Sequence, residues 1–160
     1  SEGLTVFMAD YHYKEREGSA AARDMRTGWL RDLAAVPPGQ DAPLAEFTSR
    51  SHGTSQIVGY HKAAMLFVML RDAIGTDAFD RGLRSLWDSH RFRVADWAAL
   101  ESAFAGAAGR DLAPYFTPWL TRAGLPEVRI KAAEHIETNG RRQLAVELTQ
   151  SSPPYPLSVP

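Results

Sequence analysis

The chain has 160 residues, 44% of them hydrophobic, with four Trp, seven Phe and five Tyr, enough for one ordinary globular core and too little for two large ones. A formal net charge of -1 leaves no strong field to draw nucleic acid or an anionic membrane surface. Cysteine is absent, which excludes disulfides, thiolate metal sites and cysteine nucleophiles together and leaves the compartment open.

The elements read in order as follows. Leu4, Phe7, Met8 and Tyr11 recur at spacings of three and four, which predicts an amphipathic helix over 3–17 with Gly18 as its stop. Ser19 is placed as the cap of a second helix with Met25, Trp29, Leu30 and Leu33 on one side, ending before Pro37-Pro38. The segment 37–57 is polar and rich in Pro, Gly and Ser. It reads as a long loop, either lining a cleft or merely connecting. Tyr60 begins a helix apolar nearly all round through Leu70, the pattern of a buried central helix, closed by Gly75. Thr76 caps the next, with Phe79, Leu83, Leu86 and Trp87 inward; Asp96 caps another, with Leu100 and Phe104 inward. Asp111 caps a last helix that Pro118 must kink or end, and Gly124 is read as its C-terminal cap. The four Trp residues, 29, 87, 97 and 119, are read as core.

From Pro126 the periodicity changes. Val128 and Ile130 alternate with polar neighbours, Thr138-Asn139-Gly140 is a hairpin turn signal, and residues 144–148 alternate again. The expected organisation is a mainly α helical bundle over 1–125 and the start of an incomplete β-module over 126–160, whose proline-rich tail makes a poor strand. The longest apolar run, residues 63–70, falls well short of the roughly 18 residues of a membrane span. No stretch has the pattern of a signal peptide. The lack of an initiator Met and the ending at Ser158-Val159-Pro160 lead us to expect a piece of a larger chain.

The histidines, at 12, 52, 61, 90 and 135, include no pair one helical turn apart and no His-Glu-x-x-His, so a helical zinc site cannot be built from them alone. His52 and His61 are read as structural or solvent-facing for that reason. There is no Gly-x-Ser-x-Gly elbow and no glycine-rich phosphate loop. Two short stretches stand out. One is Glu2-Gly3-Leu4 running into Phe7-Met8-Ala9-Asp10-Tyr11; the other is Gly59-Tyr60-His61-Lys62-Ala63 at the head of the buried helix. Read by themselves, Glu2 is an acid favoured by a helix N-terminus and Tyr60 a core tyrosine with a locally satisfied hydroxyl. Asp10 and Tyr11 support helix packing or contacts behind a site.

Together these stretches resemble the gluzincin zinc aminopeptidases, the aminopeptidase N (membrane alanyl aminopeptidase) family that includes leukotriene hydrolase. The order of the downstream segments, residues 69–86, 96–112 and 114–130, is similar too, and the likeness covers essentially the whole chain. It implies a fold, the C-terminal part of a thermolysin-like metallopeptidase catalytic domain followed by the start of a β-sandwich-like module. It implies a role for Glu2 as the third zinc ligand and for Tyr60 as the tyrosine that hydrogen-bonds the oxyanion. Lys62 matches the motif lysine and is given no catalytic role. Ala63 departs from the family's usual Gly.

The family's His-Glu-x-x-His, with two ligands and the general base, is absent from these residues, as is the domain that binds the substrate amine. The partners implied are therefore a peptide with a free N-terminus and the missing N-terminal part of the same protein, with no nucleic acid. Zinc is the cofactor implied for the complete protein, not for a catalytic site in this segment, which is expected to be inactive alone. In the family's chemistry, zinc makes a water acidic and polarises the scissile carbonyl. A phenol over the developing oxyanion adds stabilisation worth about 3–4 kcal/mol. The alternative is a non-catalytic helical scaffold or interaction domain of a degenerate family member.

Overall fold

The computed structural model describes residues 2–37, 39–49 and 53–157. His52, in the sequence loop, lies outside them. Two units are distinguished, Ser1–Gly124 with Pro156–Pro160, and Leu125–Tyr155.

Six helices run through the described residues of the first unit. Helix α1 (residues 2–17) is regular over Glu2–Val6 and His12–Glu17, with a π-helical turn at Phe7–Tyr11 between them. A π-turn closes its hydrogen bonds from i to i+5, so it uses one more residue than an α-turn. Phe7 and Tyr11 stay on the buried side, while Met8, Ala9 and Asp10 bulge outward and are exposed. The 3.6-residue reading put Met8 inward and gave Asp10 a packing role; the wider turn overrides both. Helix α2 (Ser19–Ala34) buries Ala22, Trp29 and Leu33, and Leu30 faces out. Ser19 is its first residue rather than its cap, with Gly18 ahead of it.

The segment between α2 and α3 contains a short 3-10 turn, Leu44–Glu46, whose Leu44 is buried. Helix α3 (residues 54–74) starts six residues before Tyr60. It is α-helical over Thr54–Ile57, π-helical over Val58–Lys62 and α-helical again over Ala63–Ile74. Its last stretch buries Ala63, Ala64, Leu66, Phe67, Val68 and Leu70, as expected of a helix enclosed on all sides.

Helix α4 (Thr76–His90) has Gly75, not Thr76, at its N-cap. Phe79 is buried as expected, but Trp87 is 58% exposed. Trp87 lies in the last turns of α4, where its ring meets Phe92 edge-on at 6.2 Å and the Arg91 guanidinium covers it at 5.8 Å. Helix α5 (Trp97–Ala108) is capped by Asp96, whose carboxylate accepts from the Ala99 N–H at 2.8 Å. Helix α6 (Ala113–Thr121) carries Pro118 in its interior and ends one turn later; Asp111 accepts from the Ala113 N–H at 2.9 Å.

The core is aromatic. Phe7 stands edge-on to Phe79 at 5.3 Å, and Phe79 meets Phe104 at 4.9 Å. Each fully buried phenyl ring contributes about 1.5–3 kcal/mol by leaving water, so this cluster decides how α1, α4 and α5 pack.

In the second unit β1 (Val128–Thr138) and β2 (Arg141–Gln150) form an antiparallel hairpin. Thr138 pairs with Arg141 across Asn139 (φ 54) and Gly140 (φ 72), the positive-φ pair of a two-residue hairpin turn. A bulge between Ile130 and Ala132 keeps Ile130, Ala133, Val146, Leu144 and Leu148 on one face. The chain is thus mainly helical with a small two-stranded sheet at its C-terminal end, a helical domain followed by a β module. Among the described residues no helix is long and apolar enough to cross a membrane.

Candidate active site

Helices α1 and α3 meet at Gly3 and Ala63. A Cβ on Gly3 would fall on that of Ala63 and within 2.9 Å of Ala63 C and Ala64 N. Only glycine lets the two backbones come this close. The contact lies one residue after Glu2 and three after Tyr60, so it brings the head of α1 beside the π-turn of α3. A second close approach repeats the device, because a Cβ on Gly59 would overlap the Phe47 ring.

Between these elements lies a cavity of about 330 Å³, lined by Glu2, Thr5, Phe47, Ser49, Gly59 and Trp97 among others. Tyr60 follows Gly59, and its ring meets Phe47 edge-on at 6.3 Å and 84°. Trp97, read from sequence as core, is a half-buried wall of this cavity. From the long segment before α3, Leu44 and Thr48 line it as well.

The described tyrosines differ in what holds their hydroxyls. Tyr11 is buried and its oxygen accepts from Arg26 Nη1. Tyr115 donates to the Leu66 carbonyl at 2.7 Å, and burial pushes its phenol far above the ordinary range. Tyr60 is only half-buried, and among the described residues its hydroxyl has no hydrogen-bond partner. Glu2 is exposed at the helix N-terminus, with no cation paired to it among the described residues.

The donor set of the described residues does not complete a zinc site. Among the described residues no three His, Cys, Asp or Glu side chains converge. Glu2 fits a single carboxylate ligand, and His61, His12 and His90 have neighbours other than Glu2. His61 Nδ1 lies 3.1 Å from Asp32, out of line for a hydrogen bond, with its ring stacked on Trp29 at 6.1 Å. Burial lowers the His61 pKa against the pull of Asp32. His12 lies 3.8 Å from Glu15, and His90 contacts Ser89 Oγ at 2.9 Å.

An ion pair braces the first π-turn. Arg71 of α3 donates to both carboxylate oxygens of Glu15 at 2.8 and 2.5 Å, and its guanidinium lies 5.2 Å from the Phe7 ring centroid. Those hydrogen bonds hold the Glu15 carboxyl below its usual range, against the opposing effect of burial. A depressed carboxylate adds stability that is complete above its unfolded value, near pH ~4.3. That stability is lost as pH falls through the folded value. Arg71→Met is therefore expected to cost about 1–2 kcal/mol at neutral pH, with a gap from the unmodified protein that narrows in acid. Thermal unfolding between about pH 3 and 7 checks this; a gap constant with pH would show that the charge pair contributes nothing.

No protein-family model matches the chain. It is 30% identical over 136 residues to aminopeptidase N of Caulobacter vibrioides (strain ATCC 19089 / CIP 103742 / CB 15), covering 82% of this chain and 16% of that protein. To aminopeptidase N of Escherichia coli (strain K12) it is 26% identical over 161 residues, 97% of this chain and 18% of the relative. To aminopeptidase N of Lactobacillus helveticus it is 33% identical over 75 residues, 47% of this chain and 9% of the relative. These similarities point to the aminopeptidase N family. The chain spans less than a fifth of the length of these aminopeptidases N.

Proposed function

We propose that this chain is part of a zinc-dependent aminopeptidase, in which Glu2 is one metal ligand and Tyr60 the hydrogen-bond donor to the oxyanion. The observation that carries the reading is the meeting of the Glu2 helix and the Tyr60 turn at one cavity, through the Gly3–Ala63 contact. The relatives' name supports the peptidase class. In this reading residues 1–125 are the C-terminal part of a thermolysin-like catalytic domain, and the hairpin opens a β-module. The two imidazole ligands, the general base and the pocket for the substrate's free amine come from residues outside these 160.

Zinc, when bound, supplies an acidic water and polarises the scissile carbonyl. Glu2 contributes a charged oxygen ligand from the first turn of a helix. Tyr60 contributes a hydroxyl uncommitted among the described residues, a neutral donor for an oxygen that gains negative charge as the peptide bond is attacked. A phenol does this without placing a further cation beside the metal. Phe47 fixes the Tyr60 ring from the side.

The test is metal content and release of N-terminal residues by the full-length protein, with the 160-residue chain alongside. Stoichiometric zinc and chelator-sensitive activity are expected of the full-length protein alone. Glu2→Gln should weaken zinc binding by at least about 10-fold. A full-length protein with neither zinc nor activity would leave a helical scaffold in place of the enzyme.

A further inference from the structure

Lys62 is 1% exposed, and it is the buried charged residue among those described. An ammonium is expensive to bury without a partner. A Met or Leu would fill the same space at no such cost, so the charge calls for a reason. Its Nζ donates to the carbonyl of Arg122 at 2.9 Å. Arg122 is the residue at which α6 ends and the backbone turns extended. Asp41 completes a clamp: one carboxylate oxygen accepts from the Gly124 N–H, two residues on, and the other from the Ala42 N–H at 2.8 Å. Burial lowers the Lys62 pKa, and the Asp41 charge opposes the shift.

Lys62 closes the π-turn Val58–Lys62 and stands two residues after Tyr60. A π-turn is less favourable than an α-turn and persists where tertiary contacts hold it. Two such contacts bracket this one, the Phe47 ring against Gly59 on one side and the Lys62 ammonium on the other. We propose that Lys62 is a positioning residue, whose bond to the Arg122 carbonyl anchors the π-turn to the end of α6 and so sets Tyr60 beside Phe47 and Gly59, which line the Glu2 cavity. The proposal rests on the reading of Tyr60 as the oxyanion donor. It assigns no contact between Lys62 and substrate.

The experiment uses the full-length protein, a series of aminoacyl p-nitroanilides, and the variants Lys62→Met, Tyr60→Phe, Asp41→Asn and the double changes with Tyr60→Phe. Lys62→Met should lower kcat by about 10- to 100-fold, with KM within about twofold and zinc content unchanged. In the Tyr60→Phe background the same change should cost less than about threefold, since two residues acting through one hydroxyl are not additive. Equal losses in both backgrounds would overturn the positioning role and leave Lys62 a packing residue. Should Lys62→Met fail to fold, Asp41→Asn decides: a loss of kcat confined to the Tyr60 background supports the clamp, and no loss overturns it. A Tyr60→Phe enzyme with unchanged kcat would instead sink the reading of Tyr60 itself.

Discussion

With Tyr60 as the proposed oxyanion donor, Tyr60→Phe in the full-length protein is expected to lower kcat by about 10²–10³, or roughly 2.7–4 kcal/mol of transition-state stabilisation. The change removes one oxygen and keeps the ring. The edge-on contact with Phe47 therefore survives, and the π-turn has no reason to move. KM should change little, because the donor acts on charge that develops after binding. Zinc content should be unchanged, because the proposed reading gives Tyr60 no bond to the metal. Steady-state kinetics paired with metal analysis reads all three. The contrast with Tyr115 sharpens the test: its hydroxyl is committed to the Leu66 carbonyl, so Tyr115→Phe acts on stability and not on kcat. A Tyr60→Phe enzyme as fast as the parent would remove the phenol from the mechanism.

Gly3→Val is expected to be the most damaging small change at the helix crossing. The new Cβ would stand within 2.9 Å of two backbone atoms of α3, and backbone, unlike the end of a long side chain, cannot swing aside. Overpacking of this kind costs about 1–3 kcal/mol or more. Relief comes only by moving α1 away from α3, which draws Glu2 away from the Tyr60 turn. Stability and activity should therefore fall together, read as a lower Tm and as a kcat loss that persists well below that Tm. Gly3→Ala should do the same more mildly. Adding Ala63→Gly should recover only part of it, because that removes the Cβ–Cβ overlap and leaves the backbone contacts. Wild-type kcat in a destabilised Gly3→Val protein would separate the crossing from the site.

Much of the fold was legible because local patterns carry it. The glycines at 18 and 75, the Asp96 cap, the central apolar helix and the Asn139-Gly140 turn each act through neighbours in sequence. What was not legible depends on contacts between distant segments. Neither π-turn can be read from a 3.6-residue period, and so Met8 was placed inward and the start of α3 was set at Tyr60 instead of Thr54. Trp87 was assigned to the core by its spacing alone, yet it lies where α4 runs out against Arg91 and Phe92. The candidate residues Glu2 and Tyr60 were singled out by motif resemblance. The glycine–alanine contact that brings their helices together has no signature beyond the small residues themselves. Lys62 matched the motif lysine, and its burial follows from where α6 ends.

The π-turn of α3 also makes chain length itself a determinant. Removing any single residue between Val58 and Lys62 would let the helix close with ordinary α hydrogen bonds. The helix would gain regularity, and the segments on either side would keep their faces, because the π-turn holds one residue more than the α-turn that replaces it. Tyr60 would leave its place while the bundle kept its core. A one-residue gap in this stretch is thus a mutation expected to spare the fold and displace the hydroxyl.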